Sequence, residues 1–395
     1  MSYAFADRMS GLKASAIREI LKFTADPSVI SFAAGNPAPE AFPTEAIEKI
    51  TDKILKENPI AALQYSVSEG YTPLRNKVKE DLKKRHNIGR DTDELVITSG
   101  AQQAIELSCK VLCNPGDTII CENPSFIGSL NSFRSYDVHL VGVEVESDGI
   151  SITGLEAALQ ENPNTKLVYL IPNFQNPTGI TMTLEKRKAC YELCKKYGVM
   201  IIEDNPYGEL RFSGIDIPTI KSFDEDGIVI YAGSFSKVLS PGLRVGYVCA
   251  PSEIIQKIVV CKQVSDVHTN ILAQMICYNF MEQCDFEEHL KGLKTIYRNK
   301  CNLMLDCLQQ NINPKITFTK PEGGLFIWCT LPEGVNMTDF CKRAVLNKVA
   351  VVPGNAFLPD EAEKTQSFRL NFSTPTDEQI IKGIEILGEL THDII

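Results

Sequence analysis

Four polar clusters in this sequence carry groups able to do chemistry. Ser234-Phe235-Ser236-Lys237 offers two hydroxyls and an amine, and Arg244 follows with a fixed positive charge. Asp204-Asn205-Pro206-Tyr207 offers a carboxylate and a phenol. Asn176 opens Asn176-Pro177-Thr178-Gly179. Ser99-Gly100-Ala101-Gln102 stands before a run with helical periodicity. A helix start turns free N–H groups and the positive end of the dipole toward an anion. Gly100 there allows close backbone approach. An amine, a carboxylate and an anion cradle are a set that could hold a phosphorylated carbonyl compound and attack it.

These groups need a scaffold that brings them together. Runs at 95–97, 167–171, 199–202 and 228–231 are short and rich in β-branched residues, as buried parallel strands are. Helical patterns over 101–113 and 184–197 lie between them. Such alternation predicts a doubly wound α/β domain with a mostly parallel sheet. Each polar cluster follows one of the predicted strands, and in open α/β sheets ligands bind beyond the carboxyl ends of the strands. All four clusters therefore fall on one rim. A lysine, an acid and a phosphate cradle on one rim are the parts required by pyridoxal 5′-phosphate (PLP).

Taken singly, each cluster has an ordinary reading. Asp204 before Asn205-Pro206 is a helix cap, and Ser99-Gly100 is another. Asn176-Pro177-Thr178-Gly179 is a turn. Lys237 is a solvated loop residue, and Arg369 an ion-paired strand residue. Their joint occurrence in order favours the site.

The run from Ser234 to Tyr247, with Lys237, Pro241-Gly242, Arg244 and Gly246-Tyr247, resembles the lysine signature of class I/II aminotransferases of PLP fold type I. Asn176-Pro177-Thr178-Gly179, Asp204 with Tyr207, that signature and the late Arg369 stand in the family's order. The resemblance implies that Lys237 carries PLP as a Schiff base and shuttles protons. It implies that Asp204 holds the ring nitrogen protonated, Asn176 and Tyr207 bond the ring hydroxyl, and Phe126 stacks on the ring. Gly100, Ala101, Gln102, Ser234, Ser236 and Arg244 would hold the phosphate, helped by Tyr65 from a second subunit of a homodimer. Arg369 would bind the substrate carboxylate bidentately, near Gly35. The opening segment through Ser15-Ala16-Ile17-Arg18 and Ala34-Gly35-Asn36-Pro37 resembles the 2-aminoadipate and kynurenine aminotransferase branch, whose catalytic domain fused transcription regulators share. There Arg18 would meet a distal carboxylate, or else be a surface helix arginine, and Phe357 would line the side-chain pocket. No DNA-binding segment is expected before Gly35. The implied reaction passes an amino group from an L-amino acid to a 2-oxo acid, 2-oxoglutarate, in ping-pong fashion. A lyase, decarboxylase or synthase on the same fold is the alternative, and a non-catalytic PLP sensor a more distant one.

Composition bounds the rest. A chain of 395 residues, 44% hydrophobic, is expected to divide into 1–40, a segment closing the site and joining the small domain, 41–285, a large PLP-binding domain, and 286–395, a small α+β domain. A net charge of −10 argues against nucleic acid as a partner. No apolar run reaches the length of a membrane span. The first residues lack the pattern of an export signal, so a cytoplasmic enzyme is expected. Thirteen cysteines without a C-x-x-C pair, and five scattered histidines, predict reduced thiols and no metal site.

Overall fold

Buried apolar runs become strands here, and the polar residues that end them become the rim of the site. The computed structural model describes residues 3–9, 12, 26–360 and 362–394. Its strands in chain order are β1 (Ile30–Ser31), β2 (Asp93–Thr98), β3 (Thr118–Asn123), β4 (His139–Glu146), β5 (Gly149–Ile150), β6 (Thr165–Leu170) and β7 (Met200–Asp204). They continue with β8 (Val229–Ser234), β9 (Gly246–Pro251), β10 (Thr317–Phe318), β11 (Phe326–Thr330), β12 (Val349–Ala350), β13 (Val352–Pro353) and β14 (Ser367–Asn371). The main sheet has eight strands in the order β2-β9-β8-β7-β6-β3-β4-β5. From β8 through β7, β6 and β3 to β4 every neighbour is parallel. β9 runs antiparallel to both β8 and β2, so β2 points the same way as β6, β7 and β8.

Side chains alternate across this sheet with period two. Leu167, Tyr169 and Ile171 enter a core that also holds Ala104, Ile105 and Leu107 of helix α1 (Ala101–Leu112). Val168 and Leu170 enter the opposite core, with Cys190, Tyr191 and Cys194 of α2 (Leu184–Tyr197). Helices on both faces make the sheet doubly wound, as the strand and helix patterns predict. Helix α3 (Ser252–Gln263) packs on the α1 face through Ile255, Ile258 and Val259.

The later part of the chain builds a second sheet, β10-β11-β14-β13, antiparallel throughout. The long helix α4 (Phe286–Asn311) precedes it and buries Leu290, Leu293, Tyr297 and Met304. The N-terminal segment joins this part: β1 pairs in parallel with β12, and the Asn371 N–H donates to the Phe32 carbonyl at 2.8 Å. That pairing carries residues 33–36 past β14 toward the rim of the main sheet. No helix among the described residues is long and apolar enough to cross a membrane.

Candidate active site

The carboxyl ends of β2, β6, β7 and β8 surround a cavity of about 320 Å³. Its walls include Gly35, Ala101, Gln102, Phe126, Asn176, Asp204, Tyr207, Ser234, Ser236, Lys237, Arg244 and Arg369. Residues more than 300 positions apart in the chain thus meet in one place.

The anion cradle follows from strand register. Gly246, the first residue of β9, pairs with Thr98 on one side and Ser234 on the other. The ends of β2 and β8 and the approach to β9 therefore lie in one row, which brings Ser99-Gly100-Ala101, Ser234-Ser236 and Arg244 together. A Cβ on Gly246 would stand 2.6 Å from the Ala101 nitrogen, so only glycine fits this crossing. Gly100, at φ +79°, caps α1 without a side chain, and a Cβ there would stand 2.3 Å from Arg244 Nη2. The Arg244 guanidinium can thus lie against the open helix start, donating to the Ser99 carbonyl at 3.1 Å and to Ser236 Oγ at 3.5 Å. Gln102 enters the cradle differently from its neighbours. Its side-chain nitrogen is committed to the Gly128 carbonyl and Ser132 Oγ, at 3.0 and 2.6 Å, which leaves only its backbone for an anion.

Asp204 ends β7 almost fully buried. One carboxyl oxygen accepts from the Tyr169 hydroxyl at 2.6 Å, and the other, Oδ1, has no partner. Burial pushes this carboxyl up to about 7, and the Tyr169 hydrogen bond limits the rise. An orphaned carboxylate oxygen costs free energy until a cation or donor meets it.

Lys237 Nζ donates to the Gly35 carbonyl at 2.7 Å. Burial, with the charges of Arg369 and Arg244, lowers its pKa to about 8. About a tenth of the amine is therefore neutral at pH 7, far more than for a free lysine. Across the cavity, Arg369 projects from β14 between two rings, its guanidinium carbon 4.1 Å from the centre of Phe326 and 4.9 Å from that of Phe357. It donates to Asn176 Oδ1 at 2.8 Å and to the Ala33 carbonyl at 2.7 Å, while its Nε has no partner. Burial lowers its pKa to about 10, so it stays charged at neutral pH. Asn176 also donates to the Tyr207 hydroxyl at 3.4 Å, linking the two sides of the cavity.

Three sequence expectations stand apart from this assembly. Tyr65 is 81% exposed, its ring stands edge on face against His268, and it is not among the residues lining the cavity of its own chain. Phe357 is fully buried beneath Arg369 and against Trp328, and it is not among the residues lining the cavity. Arg18 lies outside the described residues. The sequence reading passed over Tyr169 and Phe326, which hold Asp204 and Arg369. It also passed over Glu122, which ends the β3 approach to the site. Burial raises Glu122 to about 8. Its carboxyl accepts from the Ile171 N–H at 2.9 Å and from Gln175 at 3.4 Å, and Gln175 in turn fixes the Thr178 N–H at 3.0 Å beside Asn176.

A group that satisfies all three features must carry an anion, a protonated nitrogen and a carbon that an amine can attack, and PLP carries each. The family described as aminotransferase class I and II matches residues 27–387 of this chain. Aromatic-amino-acid aminotransferase 1 of Thermococcus litoralis is 41% identical over 389 residues, covering 98% of this chain and 93% of its own. The kynurenine aminotransferase of Pyrococcus horikoshii, solved in complex with PMP, superposes with a TM-score of 0.95 at 36% identity, over 98% of this chain and 97% of its own. LysN, the α-aminoadipate aminotransferase of Thermus thermophilus, solved with N-(5′-phosphopyridoxyl)-L-leucine, gives a TM-score of 0.92 at 36% identity, over 99% of this chain and 97% of its own. The chain belongs to the class I and II aminotransferases, and it is a PLP-dependent enzyme of amino-group transfer.

Proposed function

We propose that the enzyme takes the amino group of an L-amino acid in one half-reaction and gives it to 2-oxoglutarate in the next, on a single site. The observation that carries this is the placing of an amine with a depressed pKa opposite a buried guanidinium with a free Nε. PLP, when bound, supplies an electron sink for the negative charge that develops at the substrate Cα.

The protein's own residues do the rest. The helix start at Gly100, Ala101 and Gln102, with Ser234, Ser236 and Arg244, would hold the phosphate. Asp204, whose Oδ1 has no partner, would accept the hydrogen of a protonated ring nitrogen, and a cation there would keep the carboxyl ionised despite its burial. Asn176 and Tyr207 would hold the ring hydroxyl, and Phe126 would pack on the ring. Arg369, with its free Nε, would grip the α-carboxylate and so fix which bond at Cα is presented for breaking. Gly35 leaves room beside that carboxylate. Lys237 Nζ, as a free amine, would take the proton from the substrate Cα. Because the second substrate also bears a carboxylate next to its reacting carbon, Arg369 serves both half-reactions.

The relatives are named for aromatic amino acids, kynurenine and α-aminoadipate, and these are the donors to try first. The test is the visible spectrum of the purified protein. Its cofactor band is expected to fade with a donor and return with 2-oxoglutarate. A band that no amino acid perturbs would overturn the reading.

We also propose that the enzyme is a homodimer in which Tyr65 reaches the phosphate site of the other copy. Support comes from the surface around it. Ile60, Leu63 and Tyr65 are more than 70% exposed, as is Val264, and the Tyr65–His268 contact brings the two segments together. Apolar exposure on this scale marks an interaction surface. Sedimentation should give a dimer that Tyr65→Phe leaves intact while its hold on PLP weakens. A fully active monomer would refute this. We read 1–40 as the segment that closes the site, 41–285 as the PLP-binding domain and 286–395 as the small domain. The pairing of β1 with β12 supports the joining of the first segment to the small domain. Thirteen free cysteines suit a reducing compartment, and we place the enzyme in the cytoplasm.

A further inference from the structure

The cradle rests on a charged cluster that the proposed chemistry does not use. Lys262, near the end of α3, is fully buried. Its ammonium donates to Asp266 at 2.9 Å, to Gln103 Oε1 at 2.8 Å and to Thr269 Oγ1 at 2.9 Å. Asp266 Oδ2 also accepts from Ser99 Oγ at 2.8 Å and from Gln103 Nε2 at 2.9 Å. Gln103 closes the loop by accepting the Ser99 N–H at 2.8 Å. Ser99 is thus held at both its hydroxyl and its amide. Its carbonyl is the one that accepts from Arg244, and its chain leads directly into Gly100 and Ala101.

A buried ammonium is costly to keep unless it is paired and fully hydrogen-bonded. Sequence distance makes this pairing informative, since Asp266 lies 167 positions from Ser99. A core ion pair kept for packing alone has no need to end on the one residue that precedes the helix start. We propose that Asp266, held by Lys262, is a positioning residue for the cofactor phosphate. It fixes Ser99, and through Ser99 both the free amides of α1 and the Arg244 guanidinium, so that all point at one anion without rearrangement. Preorganised donors hold a ligand better because no ordering is left to be done on binding. The proposal rests on the reading that the cradle holds the phosphate of PLP.

The experiment compares PLP with pyridoxal, which lacks only the phosphate, as ligands of the cofactor-free protein. The parent is expected to bind PLP far more tightly. Asp266→Ala should weaken PLP about tenfold and pyridoxal less than twofold. Asp266→Asn keeps an oxygen for the Ser99 hydroxyl and should recover part of the loss. Removal of the Asp266 charge leaves Lys262 unpaired, so folding itself could fail. Ser99→Ala deletes only the hydroxyl and should lower PLP affinity several-fold in the same selective way. An equal loss for both ligands makes the cluster merely structural and overturns the proposal, as does unchanged PLP affinity in Ser99→Ala and Asp266→Ala. A parent that binds pyridoxal as tightly as PLP overturns the cradle reading itself.

Discussion

Lys237→Met is expected to stop turnover while leaving the protein folded and able to take up PLP. Methionine fills much of the lysine's volume but has no amine, so the change removes the group proposed both to link the cofactor and to carry the proton. Proton transfer by a placed side chain contributes roughly 10²- to 10⁴-fold, and single-turnover rates should fall by at least about 10³-fold. The hold of Asp204 and the phosphate cradle does not pass through this amine, so the colour of bound PLP should remain after gel filtration. Stability offers an independent check. The Lys237 pKa is about 8 in the fold against 10.5 for a free lysine. Below pH 8 the amine is charged both folded and unfolded, and its burial destabilises the cofactor-free protein to the full extent. Between pH 8 and 10.5 the folded protein gives up the proton first, and the penalty fades. Cofactor-free Lys237→Met should therefore resist urea better than the parent at pH 7, with the gap closing as pH rises above 8. A gap that widens with pH would mean that the amine is stabilised as a cation. Retained turnover would remove Lys237 from the chemistry.

Much of this site was readable because its strands are buried on both faces and so appear as apolar runs. Each run stops where the chain must become polar, and at Asp204, Ser234 and the Asn176 turn that stop is the rim of the cavity. What escaped reading falls into three physical kinds. Backbone acceptors such as the Ala33 and Gly35 carbonyls leave no mark on residue type, yet they receive Arg369 and Lys237. Tyr169 sits inside an apolar run and looks like core. Its ring packs with Phe133, while its hydroxyl serves Asp204 and is itself served by Ser129. The available signal was a polar-tipped aromatic one β-strand away from an acid at the same rim. The antiparallel β9 is the third kind. Nothing in its residues announces that it inserts between β2 and β8, although that insertion is what aligns the cradle. Phe357 is packed under the cavity and does not line it. An aromatic near a site suggests a pocket wall, but a cation stacks on its face instead and hides it.

Arg369→Ala should lower kcat/KM for every amino donor by about a hundredfold to a thousandfold, ~3–4 kcal/mol, the usual loss for one half of a buried hydrogen-bonded ion pair. The reason lies in how the arginine is held. Asn176 and Ala33 each take one terminal nitrogen, and the rings of Phe326 and Phe357 bracket the plane. Among the described residues no carboxylate pairs with it. The protein thus carries a buried, oriented cation that is held at its two terminal nitrogens, is left without a partner at Nε and is not met by an opposite charge. Desolvation alone would oppose such an arrangement, so its stability improves when an anion enters, and a carboxylate enters with each substrate. Arg369→Lys should recover little. One ammonium cannot reach Asn176, Ala33 and a carboxylate in a common plane, and it loses the stacking of a flat cation on two rings. Steady-state constants for aromatic, branched and dicarboxylic donors, measured beside PLP content, decide the matter. A uniform loss across donors with full PLP content places Arg369 on the carboxylate they share. A loss confined to dicarboxylic donors would move it to the side-chain end of the cavity, and the choice of bond at Cα would then need another residue to make it.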